Sequence, residues 1–301
     1  MDRTDITADL AARLVATQFP QWADLPVTPV ALNGWDNTTF RLGDELSVRL
    51  PSGKGYAPQV EKEHRWLPEL ARQLPLPIPA PVARGEADDL FPWPWSIYRW
   101  IDGEPISLID VADRSEFAAD LVAFLAALQA IDLADTPGFG EHSQFRGGPI
   151  DSWDELMQEC MATVAGDIDV RAVTDAWNAA LNRPYESRPV WVHGDVTPSN
   201  LLAREGKLSA VIDFGCMATG DPACDLVMAW TFFDDESKSL FQNGLPHDEA
   251  TLARARGWAL WKAVLTLAYA DDRAEAEDTA RRFGWRYGPH EVIDRILAEQ
   301  P

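Results

Sequence analysis

Three residues in the second half of the sequence, Asp195, Asn200 and Asp213, have the types and spacing that phosphoryl transfer requires. Asp195 ends a His193-Gly-Asp triplet, Asn200 follows five residues later, and Asp213 opens an Asp-Phe-Gly triplet. This order is that of a phosphoryl-transfer catalytic loop and its metal motif. Asp195 can accept or orient the proton of an acceptor hydroxyl, and Asn200 and Asp213 can supply oxygen ligands to Mg²⁺. One triplet alone would be weak evidence, but the ordered pair is a specific signal.

Each motif follows a short apolar run that is typical of a buried strand. Val190–Val192 precedes the first triplet, and Leu208–Ile212 precedes the second. We therefore expect two short strands that present both motifs at one edge.

The N-terminal third of the chain predicts a helix followed by a strand-rich unit. A helix is expected from Thr4 or Asp5 to about Phe19, and another around Val60–Leu74 that Pro68 either kinks or divides. An extended, proline-rich connector follows it. The predicted strands are Val27–Leu32, Thr39–Leu42, Leu46–Leu50 and Trp95–Ile101, with turns at Asn33-Gly34 and Gly43-Asp44.

Helical spacing dominates the rest of the chain, at Ser115–Ile131 and within residues 151–181 and 249–270, while residues 138–149 read as a loop. The fold class that this predicts is α+β, in two lobes like a protein kinase. The strand-rich N-lobe would cover residues 1–101 and the larger, mainly helical C-lobe residues 102–301. A nucleotide would bind in the cleft between them.

The composition favours a globular enzyme with a small-molecule substrate. Of 301 residues 46% are hydrophobic and 25% are charged, and the net charge of −22 makes nucleic acid an unfavourable partner and attracts small cations. Solubility alone is the simpler explanation of this charge on composition. The three cysteines lack the spacing of a disulfide framework or a zinc site. The first residues do not resemble a signal peptide, and the most apolar helical run contains Lys262 and is too short for a membrane. We expect no membrane partner and a cytoplasmic location.

Taken together, these segments resemble the aminoglycoside phosphotransferase family, which is related to choline and macrolide kinases. The match extends over most of the chain, and its most specific parts are the two triplets and Gly220–Leu226. The other matching segments are Gly34–Gly43, Val48–Pro51, Glu63–Leu70 and Ile97–Glu104. The resemblance implies a kinase-like fold, ATP or GTP as donor, and Mg²⁺.

The family pattern also implies roles around the catalytic loop. Asp195 would act as the base, Asn200 and Asp213 would hold Mg²⁺, and His193 would support the loop. Asp225 would hold the backbone of the first triplet, with Asp221 as a further scaffold residue.

For the nucleotide, the resemblance implicates the hairpin, the third strand and the hinge. Arg49 stands where kinases usually have lysine, and its guanidinium can hold phosphate oxygens while pairing with Glu63, with Glu61 as competitor. Asn37, together with Asp36 and Thr38, can turn backbone N–H groups to phosphate, although an ordinary hairpin is an equally good interpretation. The hinge residues Tyr98 and Trp100 are expected to meet the purine through backbone groups.

The acceptor side is the least specific part of the sequence. Its candidate residues are Trp230, Asp234, Asp235 and Glu236, with Glu155 and Glu159 on the helices before the catalytic loop and Trp258 and Trp261 as possible pocket walls. For any single one of these carboxylates, a solvated acidic surface is the better interpretation in so acidic a chain.

The sequence thus predicts a kinase for a hydroxyl of a small, cationic molecule, with an aminoglycoside-type antibiotic as leading acceptor. Macrolides, choline and sugar-like metabolites are alternatives. A catalytically silent nucleotide-binding module is a further alternative, because Arg49 stands where kinases usually have lysine. A protein kinase is disfavoured because no Ala-Pro-Glu motif follows Asp213.

Overall fold

The computed structural model describes residues 3–31, 33–132 and 134–299, which form a strand-rich N-terminal part and a mainly helical C-terminal part. The strands are β1 (Val27–Pro29), β2 (Asn37–Leu42), β3 (Leu46–Pro51), β4 (Pro81–Gly85), β5 (Trp95–Arg99), β6 (Glu104–Pro105), β7 (Val190–Val192), β8 (Leu201–Arg204), β9 (Lys207–Val211) and β10 (Ala218–Gly220). The helices are α1 (Ala8–Gln18), α2 (Ala57–Leu70), α3 (Arg114–Ala130), α4 (Asp154–Thr163), α5 (Val170–Leu181), α6 (Met228–Thr231), α7 (Asp235–Asn243), α8 (Glu249–Ala268), α9 (Arg273–Arg282) and α10 (Pro289–Leu297). None of the described helices is long and apolar enough to cross a membrane.

The N-terminal strands form one antiparallel sheet in the order β1-β2-β3-β5-β4. Alternate residues of its strands, such as Phe40, Val48 and Ile97, are buried and pack with Leu14 and Val15 of α1 in a separate hydrophobic cluster. Gly43, at φ +58°, permits the tight turn between β2 and β3. The sheet fixes Arg49 of β3 directly opposite Ser96 of β5.

Helix α2 connects this sheet to the rest of the molecule. Leu67 and Leu70 of α2 belong to the large hydrophobic cluster of the C-terminal part. The helix is continuous, because Pro68 lies in its last turn and removes only one backbone hydrogen bond there.

The C-terminal core forms around α8, which carries the buried side chains of Trp258 and Trp261. Its most buried ion pair joins Arg254 of α8 to Asp221, with Nε 2.6 Å from Oδ2 and side chains 3% and 2% exposed. This pair fixes α8 to the segment that follows β10.

A close backbone approach holds the loop 138–149 against β10. The amide of Asp221 donates to the carbonyl of Gly147 over 2.7 Å. A Cβ on Gly220 would lie 1.9 Å from the same oxygen, so no side chain fits there.

The predicted α+β, kinase-like fold class is confirmed, with several local corrections. The first predicted strand ends at Pro29 rather than continuing to Leu32, and Leu32 itself lies outside the described residues. The first helix begins at Ala8, because Thr7 caps it by accepting from the amide of Leu10. The division of the chain near residue 101 stays a prediction.

The expectation that both motif strands share one sheet edge is wrong. Strand β7 pairs with β10, whereas β9 pairs with β8 in a different sheet. The two motifs meet instead through side-chain and loop contacts.

Candidate active site

A buried carboxylate shapes the loop that carries Asp195. Asp225 accepts hydrogen bonds from the backbone amides of His193 at 2.8 Å and Gly194 at 2.7 Å, which is the contact predicted for it. Burial raises the pKa of Asp225, and these amides and the nearby His193 oppose that rise. Gly194 has φ +86°, and a Cβ there would lie 2.4 Å from the carbonyl oxygen of Cys216. The middle residue of the triplet must therefore be glycine.

His193 joins the two motifs. Its Nδ1 accepts from the amide of Asp195 at 3.2 Å, so its Nε2 carries the proton and donates to the carbonyl of Ile212 at 3.0 Å. The amide of Ile212 in turn donates to the carbonyl of Asn200 at 2.9 Å. Both ring nitrogens are thus engaged, which suits the predicted supporting role of His193 better than acid–base chemistry.

Asp195 lies at the end of this network with its side chain 37% exposed. Lys262 Nζ is 2.7 Å from its Oδ1, and Asn200 Nδ2 is 3.2 Å from its Oδ2. Burial opposes ionisation of this carboxyl, but the neighbouring cations, Lys262 first, hold its pKa below the usual value. Asp195 is therefore a carboxylate at neutral pH and reaches solvent, as a base for a hydroxyl must.

Asp213 is held in an unusual backbone conformation next to Arg49. Its φ of +63° is rare for a residue other than glycine and is often found at functional sites. Arg49 Nη2 donates to Asp213 Oδ1 at 2.8 Å, and Arg49 Nη1 is 3.5 Å from Glu63 Oε1. Burial would lower the pKa of Arg49, but Glu63 and Asp213 outweigh burial and raise it. The predicted Arg49–Glu63 pair is present, and the pair with Asp213 is the shorter one.

The donor set around Asp213 suits Mg²⁺. The side-chain amide nitrogen of Asn200 donates to Asp195. No donor among the described residues contacts the side-chain oxygen of Asn200, Oδ1. An amide oxygen, one carboxylate, phosphate oxygens and water are ligands that Mg²⁺ accepts. No cluster of three His, Cys, Asp or Glu in the described part of the chain forms an all-protein metal site. A magnesium ion here would therefore depend on the nucleotide for its remaining ligands.

The hairpin between β1 and β2 places one more carboxylate, that of Asp36, near Asp195 and Asp213. Asp36 Oδ2 accepts from Gln59 at 2.9 Å and from Gln144 at 3.0 Å. Burial raises the pKa of Asp36 to about 6, and the charges of Asp213 and Asp195 contribute to the rise. Asn37, the first residue of β2, is 8% exposed. Its contact with phosphate stays a prediction.

The two hinge residues, Tyr98 and Trp100, form contacts within the protein that the sequence did not predict. Tyr98 is 2% exposed, and its hydroxyl donates to Glu63. The amide of Trp100 donates to the carbonyl of Glu45 at 2.8 Å, and its ring lies 4.5 Å from Arg41 Cζ. Tyr98 therefore stabilises the partner of Arg49, whereas a contact of either hinge residue with a purine stays a prediction.

In the described part of the chain, the hydrogen bonds and ion pairs of the predicted acceptor residues go to residues other than Asp195. Trp230 is fully buried, and its indole N–H donates to Glu299 at 3.1 Å, so it presents no surface to a ligand. Asp234 caps α7 by accepting from Ser237 N at 3.1 Å, and Asp235 pairs with Arg295 at 3.4 Å. Glu236 is exposed on the first turn of α7. Trp230 is therefore a core residue, whereas a role of the three carboxylates in binding the acceptor stays a prediction.

Trp258 and Trp261 surround a buried arginine instead of lining an open pocket. Arg146 Cζ lies 5.1 Å from the ring centroid of Trp258, 4.8 Å from that of Trp261 and 5.3 Å from that of Trp153. Arg146 is 7% exposed, and its Nε and Nη1 have no hydrogen-bond partner among the described residues. Its charge is therefore stabilised by the aromatic rings and by the negative charge of Asp195.

The sequence offered no motif for three further cations of the site, Lys62, Arg146 and Lys262. Lys62 of α2, 8% exposed, donates to the carbonyls of His142, Gly215 and Met217 over 2.7, 2.8 and 2.9 Å. It thus joins α2 to the segment after Asp213. Of these three cations, only Lys262 has a recognisable sequence signal, because it is a single charge within an apolar helical run.

Comparison with known proteins bears on the family and the fold of this chain. The sequence profile of the phosphotransferase enzyme family matches residues 27–261. No curated protein sequence matches this chain significantly.

Solved structures of several phosphotransferases have the same fold. The GDP and kanamycin complex of APH(2")-IIia is 19% identical, covers 97% of this chain and 99% of its own, and superposes with a TM-score of 0.73. The streptomycin–ATP complex of APH(2")-IIa is 18% identical, with coverages of 98% and 97% and a TM-score of 0.60. Macrolide 2'-phosphotransferase MphH from Brachybacterium faecium is 20% identical, with coverages of 91% and 98% and a TM-score of 0.59. At these identities the likeness concerns the fold.

Proposed function

The chain belongs to the phosphotransferase enzyme family, and we propose from this premise that it transfers the terminal phosphoryl group of ATP or GTP to a hydroxyl of a small molecule. The observation that carries the proposal is the contact network that brings an ionised, partly exposed Asp195 next to Asn200 and, through His193 and Ile212, next to Asp213. A silent module would not require this arrangement.

In the proposed reaction, Asp195 orients the acceptor hydroxyl and receives its proton. The hydroxyl oxygen forms a bond to the terminal phosphorus, the bond from that phosphorus to the bridging oxygen breaks, and the nucleoside diphosphate leaves. Arg49 steadies phosphate oxygens with its guanidinium, which Glu63 and Tyr98 hold in place. Mg²⁺, held by Asn200 and Asp213, would neutralise phosphate charge.

For the acceptor, we propose an aminoglycoside-type molecule first. Two similar structures are described as complexes with kanamycin and streptomycin, and a chain of net charge −22 attracts polycations. A macrolide is the second candidate, because MphH has the same fold over nearly its whole length. Choline and simple sugars complete the panel.

The test is a screen of these acceptors with Mg²⁺ and either ATP or GTP, run with wild-type protein and with Asp195→Asn. The variant keeps the shape of the side chain but cannot act as a base, so turnover should fall about 10²- to 10⁴-fold. Equal product from both proteins would disprove the role of Asp195. Tight nucleotide binding without turnover of any acceptor or of water would favour the silent module.

A further inference from the structure

Lys262 holds Asp195 from the side of the helical core. It lies in α8, and its Nζ is 2.7 Å from Asp195 Oδ1. Its side chain is only 13% exposed, so water screens the pair less than it would on the surface.

The position of Lys262 is fixed by the same residues that shape the catalytic loop. About two turns earlier in α8, Arg254 binds both carboxylate oxygens of Asp221, at 2.6 and 3.1 Å. Asp221 begins the segment that contains Asp225, which holds the amides of His193 and Gly194. Lys262 and Asp195 therefore share one rigid frame, unlike a flexible surface pair.

Negative charge accumulates around Asp195, and Lys262 is held where it can offset part of it. The carboxylates of Asp195 and Asp213 both lie close enough to contribute to the raised pKa of Asp36, and the phosphoryl donor is itself an anion. Arg49 already offsets the charge of Asp213 at 2.8 Å. Lys262 makes the largest contribution to offsetting the charge of Asp195, and Arg146 makes a smaller one.

We propose that Lys262 is a positioning residue for the transfer step, which orients Asp195 and offsets its negative charge so that an anionic phosphoryl group can approach it. This inference rests on the proposed function. Among the described residues, Lys262 forms no hydrogen bond or ion pair with Arg49 or the hairpin. Its contribution therefore falls on kcat and leaves the KM for nucleotide unchanged.

The experiment compares Lys262→Met and Lys262→Arg with a matched control, Lys238→Met, in Mg²⁺-dependent nucleotide turnover with the best acceptor of the screen, or with water as acceptor. Lys238 is equally sheltered at 13% exposure but pairs with Glu299. We expect Lys262→Met to lower kcat on the order of 100-fold at unchanged KM for nucleotide, Lys262→Arg to recover most of it, and Lys238→Met to resemble wild type. In an Asp195→Asn background, Lys262→Met should cause no further loss, because its effect acts through the carboxylate.

Three results would overturn the inference: wild-type kcat in Lys262→Met, a loss that adds fully to that of Asp195→Asn, or no recovery in a folded Lys262→Arg protein. Thermal unfolding of every variant shows whether it is folded. Wild-type protein without any Asp195-dependent turnover would refute the proposed function itself, and the inference with it. Normal wild-type turnover with an unaffected Lys262→Met refutes the inference alone.

Discussion

Lys62 allows a sharp prediction about stability at alkaline pH. The side chain lies between α2 and the segment after Asp213, where three carbonyls accept from its Nζ. Burial lowers the pKa of Lys62 from its ordinary 10.5 to about 8, even though Glu63 and Asp36 favour the charge. The unfolded chain therefore keeps this proton over a pH range in which the folded chain has released it.

The sign and size of the effect follow from this difference in proton binding. Between about pH 8 and 10.5 the unfolded state binds more protons at Lys62, so the contribution of this group to the free energy of unfolding rises with pH. At 1.36 kcal/mol per pH unit, the complete rise is about 3 kcal/mol. Below about pH 8 both states hold the proton, and the contribution is constant.

The assay is denaturant unfolding of wild type and Lys62→Met from about pH 7 to about pH 10.5. The difference between the two free energies cancels the titration of all other groups, and it should shift by about 3 kcal/mol in favour of wild type as the pH rises. Lys54→Met, at an exposed lysine, is the control for loss of a lysine as such. A difference that stays level, or that shifts towards Lys62→Met, would refute the reasoning.

Three further predictions concern single side chains. Arg49→Ala should weaken apparent nucleotide affinity and lower turnover, and unchanged kinetics would show that Arg49 does not hold phosphate. Arg254→Met should lower the free energy of unfolding by about 3–5 kcal/mol in a denaturant titration, because it leaves the charge of Asp221 buried and unpaired; a loss under about 1 kcal/mol would contradict this. Gly194→Ala should abolish turnover, since its Cβ would meet the carbonyl of Cys216 at 2.4 Å, whereas Gly206→Ala, at φ +81° with no atom within 4 Å, should cost only about 1–2 kcal/mol of stability; similar activity in both variants would disprove the steric argument.

The sequence predicted the fold best where local signals agree. The hairpin of β2 and β3 was predictable from its alternating apolar residues and the turn at Gly43. Both signals specify the same register of the two strands. The pairing of β7 with β10 was not predictable in this way. Three-residue strands carry too little periodicity to identify their partners, which depend on tertiary packing.

Within the candidate site, the motif positions were predictable and the charges around them were not. Asp225 could be assigned to the backbone of the first triplet because the motif fixes its spacing. Lys262 reaches Asp195 across 67 positions of sequence, and Lys62 reaches Gly215 across 153. Contacts at such separations are set by helix packing, which one sequence does not reveal. Trp230 was misassigned for the same reason, since aromatic composition does not distinguish a pocket wall from a core.

The backbone contact between Gly147 and Gly220 has a consequence for the evolution of this chain. A Cβ on Gly220 would lie 1.9 Å from the carbonyl oxygen of Gly147, so Gly220 cannot gain a side chain while Gly147 stays in place. Gly147 is restricted differently, by its own φ of +79°. Substitution of Gly220 requires the loop 138–149 and β10 to separate, which would also displace Arg146 from its three tryptophans. Relatives that share this loop should therefore keep glycine at the position of Gly220, and lineages that lose it should have rebuilt the loop as a whole.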